Sequence, residues 1–141
     1  MRRILILFAA TATLWLAVLV TCATAVGRQG GGWTIPPNAA AEKNPLPVND
    51  ALVANGKRLF GMKCQRCHGP LGKGDGPDGD PANQEDMDLT VASRAARNPD
   101  GIIFYKAWNG RTTPKMPAMS EDLSKEQLWA IVAYVQTLRG K

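Results

Sequence analysis

The most regular apolar pattern lies near the C-terminus, where Leu128, Ile131, Val132, Val135 and Leu138 recur at helical spacing and form one face. Ser124 with Gln127 makes a capping-box pair, Leu123 and Leu128 stand at the staple positions, and Gly140 is placed to end the helix. A second helix of about three turns is predicted from Asp50 as N-cap through ALVANGKRLFGMKC, with Leu52, Val53, Leu59, Phe60 and Met62 apolar. A third, shorter one spans GIIFYKAW, opened by Asn98 or Asp100 and stopped at Asn109-Gly110. The stretch between His68 and Asn98 is dense in Gly, Asp and Pro and predicts loop, and no strand alternation or internal repeat is present. The expected fold is all-α with long loops.

The N-terminal pattern is of another kind. After Arg2 and Arg3 no charge occurs before Arg28. The basic head would stay in the cytoplasm and send the rest of the chain across the membrane. Residues 1–26 therefore read as a signal peptide, with a small-x-small cleavage site at Ala23-Thr24-Ala25, or as a retained anchor, since Ile4 to Val26 exceeds the ~20 residues that span a bilayer. Cys22 gives a poor lipoprotein match. Residues 27–49, with four prolines and no period, read as an extended linker or strap, within which Trp33 and Ile35 either pack on the domain or meet the membrane interface. The domain proper is 50–141.

Charge changes this picture little. The net +5 of the 141-residue chain falls to +3 without Arg2 and Arg3, leaving 15 basic against 12 acidic residues, and the basic residues are scattered. Nucleic-acid binding is not supported. The acidic run from Asp75 to Asp88 lacks the spacing of a calcium loop.

The chemistry sits in Cys64-Gln65-Arg66-Cys67-His68. A thioredoxin-like pair would need a neighbouring strand-helix-strand pattern, a zinc site would need a fourth ligand the domain does not supply, and a disulfide here would close too small a loop to matter. C-x-x-C-H is the signature of covalent haem attachment: two thiols add to the vinyl groups and the next residue offers an imidazole to the iron. A domain of ~90 residues rich in loops also buries little apolar surface for its entropy, and a large planar cofactor would supply the missing core. His68 is the chain's only histidine, so the sixth ligand is methionine, lysine, a terminal amine or none. Among the methionines, Met62 is too close to the motif, Met87 lies in an acidic loop, and Met116 and Met119 flank Pro117-Ala118 in a proline-rich segment.

Taken together, Gly56-x-x-x-Phe60-x-x-x-Cys64-x-x-Cys67-His68-Gly69, the run GKGDGP from Gly72 to Pro77, Asp88-Leu89-Thr90, Asn109-Gly110, Met116-Pro117 and LSKEQLWAIVAYVQTL resemble a class I monohaem cytochrome c of bacterial type over Asp50 to Gly140. The resemblance implies one haem c on Cys64 and Cys67, His68 and Met116 as axial ligands, and Met119 near the haem edge in second place for that role. It implies that the first and last helices cross at Gly56 and Phe60 near Tyr134, and that Pro77 offers its carbonyl to the His68 ring. Arg111, close to Met116 in sequence, would approach a propionate. A His/Met haem has no open position for substrate, so the expected function is one-electron transfer without an enzymatic reaction. The setting would be the periplasmic side of the membrane, as a respiratory or photosynthetic carrier between redox partner proteins. The alternatives are a fixed haem subunit of a membrane complex and a five-coordinate catalytic or sensor haem.

Overall fold

The structure, a computed structural model, describes residues 28, 29 and 32–140. The apolar segment 1–26 lies outside the described residues. Among those described, the elements are a two-residue antiparallel pair, β1 (Arg28–Gln29) with β2 (Trp33–Thr34), and helices α1 (Asp50–Lys63), α2 (Gln65–His68), α3 (Gln84–Met87), α4 (Ala92–Arg97), α5 (Asp100–Asn109) and α6 (Lys125–Thr137). The fold is the expected helical one, and no described helix is long and apolar enough to cross a membrane.

Helix starts follow local chemistry. Asn49, one residue before the expected cap, is extended and its side chain accepts from the Leu52 N–H at 2.9 Å. Asp50 then falls in the first turn, where the helix dipole favours a carboxylate. At α6 both bonds of the capping box form: the Gln127 N–H donates to Ser124 Oγ at 3.3 Å, and the Ser124 N–H to Gln127 Oε1 at 2.8 Å. At α5 neither expected cap acts. Pro99 holds the N-cap position, the Asn98 side chain donates to the Arg94 carbonyl, and the Asp100 carboxylate accepts from Gln136.

The core is the crossing of α1 and α6. A Cβ on Gly56 would lie 1.9 Å from the Ala130 carbonyl oxygen, so only glycine lets these backbones meet. One turn on, Phe60 meets Tyr134 edge-on at 5.3 Å between ring centroids. Leu128 and Val132 are fully buried there, a contribution of about 1.5–3 kcal/mol each. Phe104 of α5 stacks on Trp129 of α6 at 4.2 Å. Gly140, with φ 73°, stands two residues past the C-cap Leu138, and its N–H donates to the Thr90 carbonyl at 3.0 Å.

Residues 32–46 are a docked strap. Trp33, Ile35 and Ala39 are buried with Ile102 of α5 in a second apolar cluster, while Leu46 packs on the main core and the Asn44 side chain donates to the Trp129 carbonyl at 2.9 Å. The 69–98 stretch, expected as loop, contains α3 and α4. Arg94 ties them together through ion pairs to Glu85 and Asp86 at 3.1 and 3.0 Å, and Arg139 closes α4 by donating to the carbonyls of Ala95 and Asn98.

Candidate functional site

Cys64 ends α1, its N–H still donating to the Phe60 carbonyl at 2.8 Å, and the chain tightens at once into the single turn of α2. The N–H groups of Cys67 and His68 both donate to the Cys64 carbonyl, at 3.2 and 3.0 Å. One turn therefore holds the two thiols and the imidazole together. The glycine-rich stretch folds back around it: Gly74, Gly76 and Asp78 donate their N–H groups to the carbonyls of His68, Cys67 and Arg66. Outside, the Arg66 guanidinium pairs with Asp78 and holds its carboxyl below the usual range.

Both cysteines are free and half-buried, and burial next to Cys67 pushes the Cys64 thiol up to about 12. Burial also lowers the His68 pKa, so the ring is neutral near pH 7. Its Nδ1 lies 2.8 Å from the Met87 carbonyl oxygen. A carbonyl can only accept, so Nδ1 carries the proton and Nε2 keeps the lone pair a metal would need. This corrects the partner expected at Pro77, which is exposed on the fold-back around α2. The carbonyl comes from the last residue of α3, a helix end whose acceptors lack intrahelical donors.

A cavity of about 910 Å³ opens beside these groups. Cys64, Cys67 and His68 line it, as do Met87, Met116 and Met119. Met116 is half-buried at the end of a loop closed by paired backbone bonds with Arg111, at 2.8 and 2.9 Å, and it touches both apolar clusters. Met119 is buried in the following 3₁₀ turn. Met62 is well exposed, away from the site. Arg111, the expected propionate partner, also lines the cavity.

Sequence reasoning missed further lining groups: Trp33, Arg94, Lys106 and Arg139. Lys106 donates to Asn98 Oδ1 at 2.6 Å, and burial together with Arg111 pushes its pKa down to about 8. Four aspartates, Asp78, Asp80, Asp86 and Asp88, also line the cavity, and the cations outnumber them. Trp33 had one signal, a large aromatic in an otherwise polar, proline-rich segment; the cations had none.

The lining fits a flat apolar group with acidic substituents. Phe60, Leu89, Ile103, Ile131 and Val135 supply apolar walls, the thiols and imidazole supply attachment and a donor, and the cations match carboxylates. Among the described residues no three His, Cys, Asp or Glu side chains converge on a metal position.

A small helical domain gathering a C-x-x-C-H turn around such a cavity is of the class that carries haem covalently. The family model for cytochrome c matches residues 53–139, and the chain belongs to the cytochrome c family. The family carries electrons on covalently bound haem c. The chain is 34% identical over 105 residues to Photosystem II extrinsic protein V of Nostoc punctiforme, covering 74% of this chain and 61% of that one. Among solved structures it is similar to a chain of a reducing HAO-like protein complex of Kuenenia stuttgartiensis, with a TM-score of 0.57 and 26% identity over 67% of this chain and 47% of that one. Cytochrome CL of Methylophaga aminisulfidivorans shares the fold at a TM-score of 0.54 and 19% identity, over 81% and 71% of the two chains. The chain thus spans less than two thirds of the first two relatives' lengths.

Proposed function

We propose that this protein is a one-electron carrier holding a single haem c through Cys64 and Cys67, with His68 and Met116 as axial ligands. The observation that carries the reading is the meeting of Met116 with the C-x-x-C-H turn on one cavity, in a chain with a single histidine. When bound, the group supplies one-electron chemistry at a potential raised by methionine ligation. The residues do the rest. The α2 turn presents both thiols from one backbone segment; the Met87 carbonyl fixes the His68 tautomer and strengthens Nε2 as a donor. Phe60, Ile131 and Val135 keep water out, and Arg111, Lys106 and Arg139 would hold the acidic substituents.

The carrier works outside the cytoplasm, delivered by residues 1–26 as a signal or anchor, with 27–49 as strap and 50–141 as the cytochrome domain. The decisive experiment is spectroscopy of exported protein. A pyridine haemochrome resistant to acid-acetone extraction, the weak far-red methionine-to-iron band, and ferrous protein inert to carbon monoxide are expected. Ready carbon monoxide uptake by the native protein would instead establish a five-coordinate haem.

A second reading, a fixed haem subunit of a larger complex, draws on the names of two relatives: one extrinsic to photosystem II, one in a protein complex. Co-extraction with stoichiometric partners in mild detergent would favour it over a free shuttle. Mass spectrometry of the extracted chain, with intact Met1 or a start at Val26, distinguishes anchor from signal.

A further inference from the structure

Trp33 lies outside the part of the chain that matches the family, yet it forms part of the cavity wall. It is only 8% exposed, packed with Ile35, Ala39 and Ile102. The Arg111 guanidinium lies over its ring at 4.6 Å from the centroid, and Lys106 Nζ approaches the same ring at 5.7 Å. Arg111 is the backbone partner of Met116, and Met116 packs against the Trp33 cluster as well as the main core. The strap runs close to the loop at one end and is bonded at the other. At its near end, a Cβ on Gly32 would sit 3.3 Å from the carbonyl oxygen of Thr113, inside the methionine loop. At its far end the Gly101 N–H donates to the Glu42 carbonyl at 3.2 Å, so the strap is moored to the start of α5.

We propose that Trp33 is a positioning residue for the Met116 loop: the strap, moored on α5, clamps Arg111 through the indole face and thereby holds the methionine in place. This rests on the His/Met reading above. The physical basis is a cation over the face of a buried indole, together with the apolar contact of Met116 with the Trp33 cluster. The strap makes the loop's closed arrangement the dominant one; without the indole, the open arrangement gains population.

The test uses the haem-loaded full chain and three variants: Trp33→Leu, Trp33→Phe, and Gly56→Ala as a destabilised control remote from the loop. For Trp33→Leu the far-red band weakens, the midpoint potential falls and ferrous carbon monoxide uptake rises roughly tenfold, as a shift of about 1.4 kcal/mol in loop closure gives. Trp33→Phe, which keeps an aromatic face, lies between Trp33→Leu and the parent. Gly56→Ala lowers the melting temperature without these spectral changes. Should both Trp33 variants keep the parent's band, potential and carbon monoxide inertness while merely melting earlier, like the control, the proposal is overturned. A parent protein that lacks the far-red band overturns the His/Met reading instead, before any variant is compared.

Discussion

The Met87 carbonyl holds His68 through the main chain, so the side chain at position 87 is not what fixes the ring. Met87→Leu, close in volume and without a donor sulfur, should keep both the Soret spectrum and the far-red band of the parent; loss of the band would make Met87 the axial ligand. The other two cavity methionines should separate by effect. Met116→Ala abolishes the band and opens the haem to carbon monoxide. Met119→Ala, a truncation at a site only 7% exposed, keeps the band and costs about 2–5 kcal/mol in denaturant titrations. The reverse pattern would move the ligand to Met119. Cys64, Cys67 and His68 were legible in the sequence as a candidate cluster because they stand within five residues, and a single turn gathers them on the cavity. The Met87 carbonyl was not, since every residue has one and only the end of α3 decides which is unclaimed.

Among elements, α6 and its crossing with α1 set the frame. Gly56→Ala places a Cβ against the Ala130 carbonyl and forces the helices apart, costing about 1–3 kcal/mol. Ser124→Ala removes one arm of the capping box for about 1 kcal/mol. Thermal melts of the two single variants and their double check both figures. A Gly56→Ala protein as stable as the parent would place the crossing elsewhere. Both features were readable in advance: the cap from a four-residue pattern, the crossing from the family resemblance. The short α3 and α4 were not, because four to six residues carry no apolar period and what holds them is long-range: Arg94 of α4 pairs with Glu85 and Asp86 of α3, and Arg139, past α6, closes α4. The strap was half-legible, its Trp33 and Ile35 visible but their resting place fixed only by α5.

For the molecule as a whole, the cavity is walled by α1, α5, α6, the α3–α4 segment, the strap and the Met116 loop, so a group filling it would touch them all. A flat apolar group seated there would take apolar surface of each part out of water, at roughly 25 cal/mol per Å². The double variant Cys64→Ala, Cys67→Ala should therefore melt earlier and less cooperatively as covalent haem is lost; a sharp, parent-like transition in a haem-free chain would contradict this. The α2 turn, by contrast, is built from bonds within five residues, 64–68, whereas Met116 reaches the site only when α5, α6 and the strap are in place. On the proposed reading, attachment and methionine ligation would then be separable in time: the thiols and imidazole are gathered by a single local turn, and the methionine would arrive only as the rest of the fold closes.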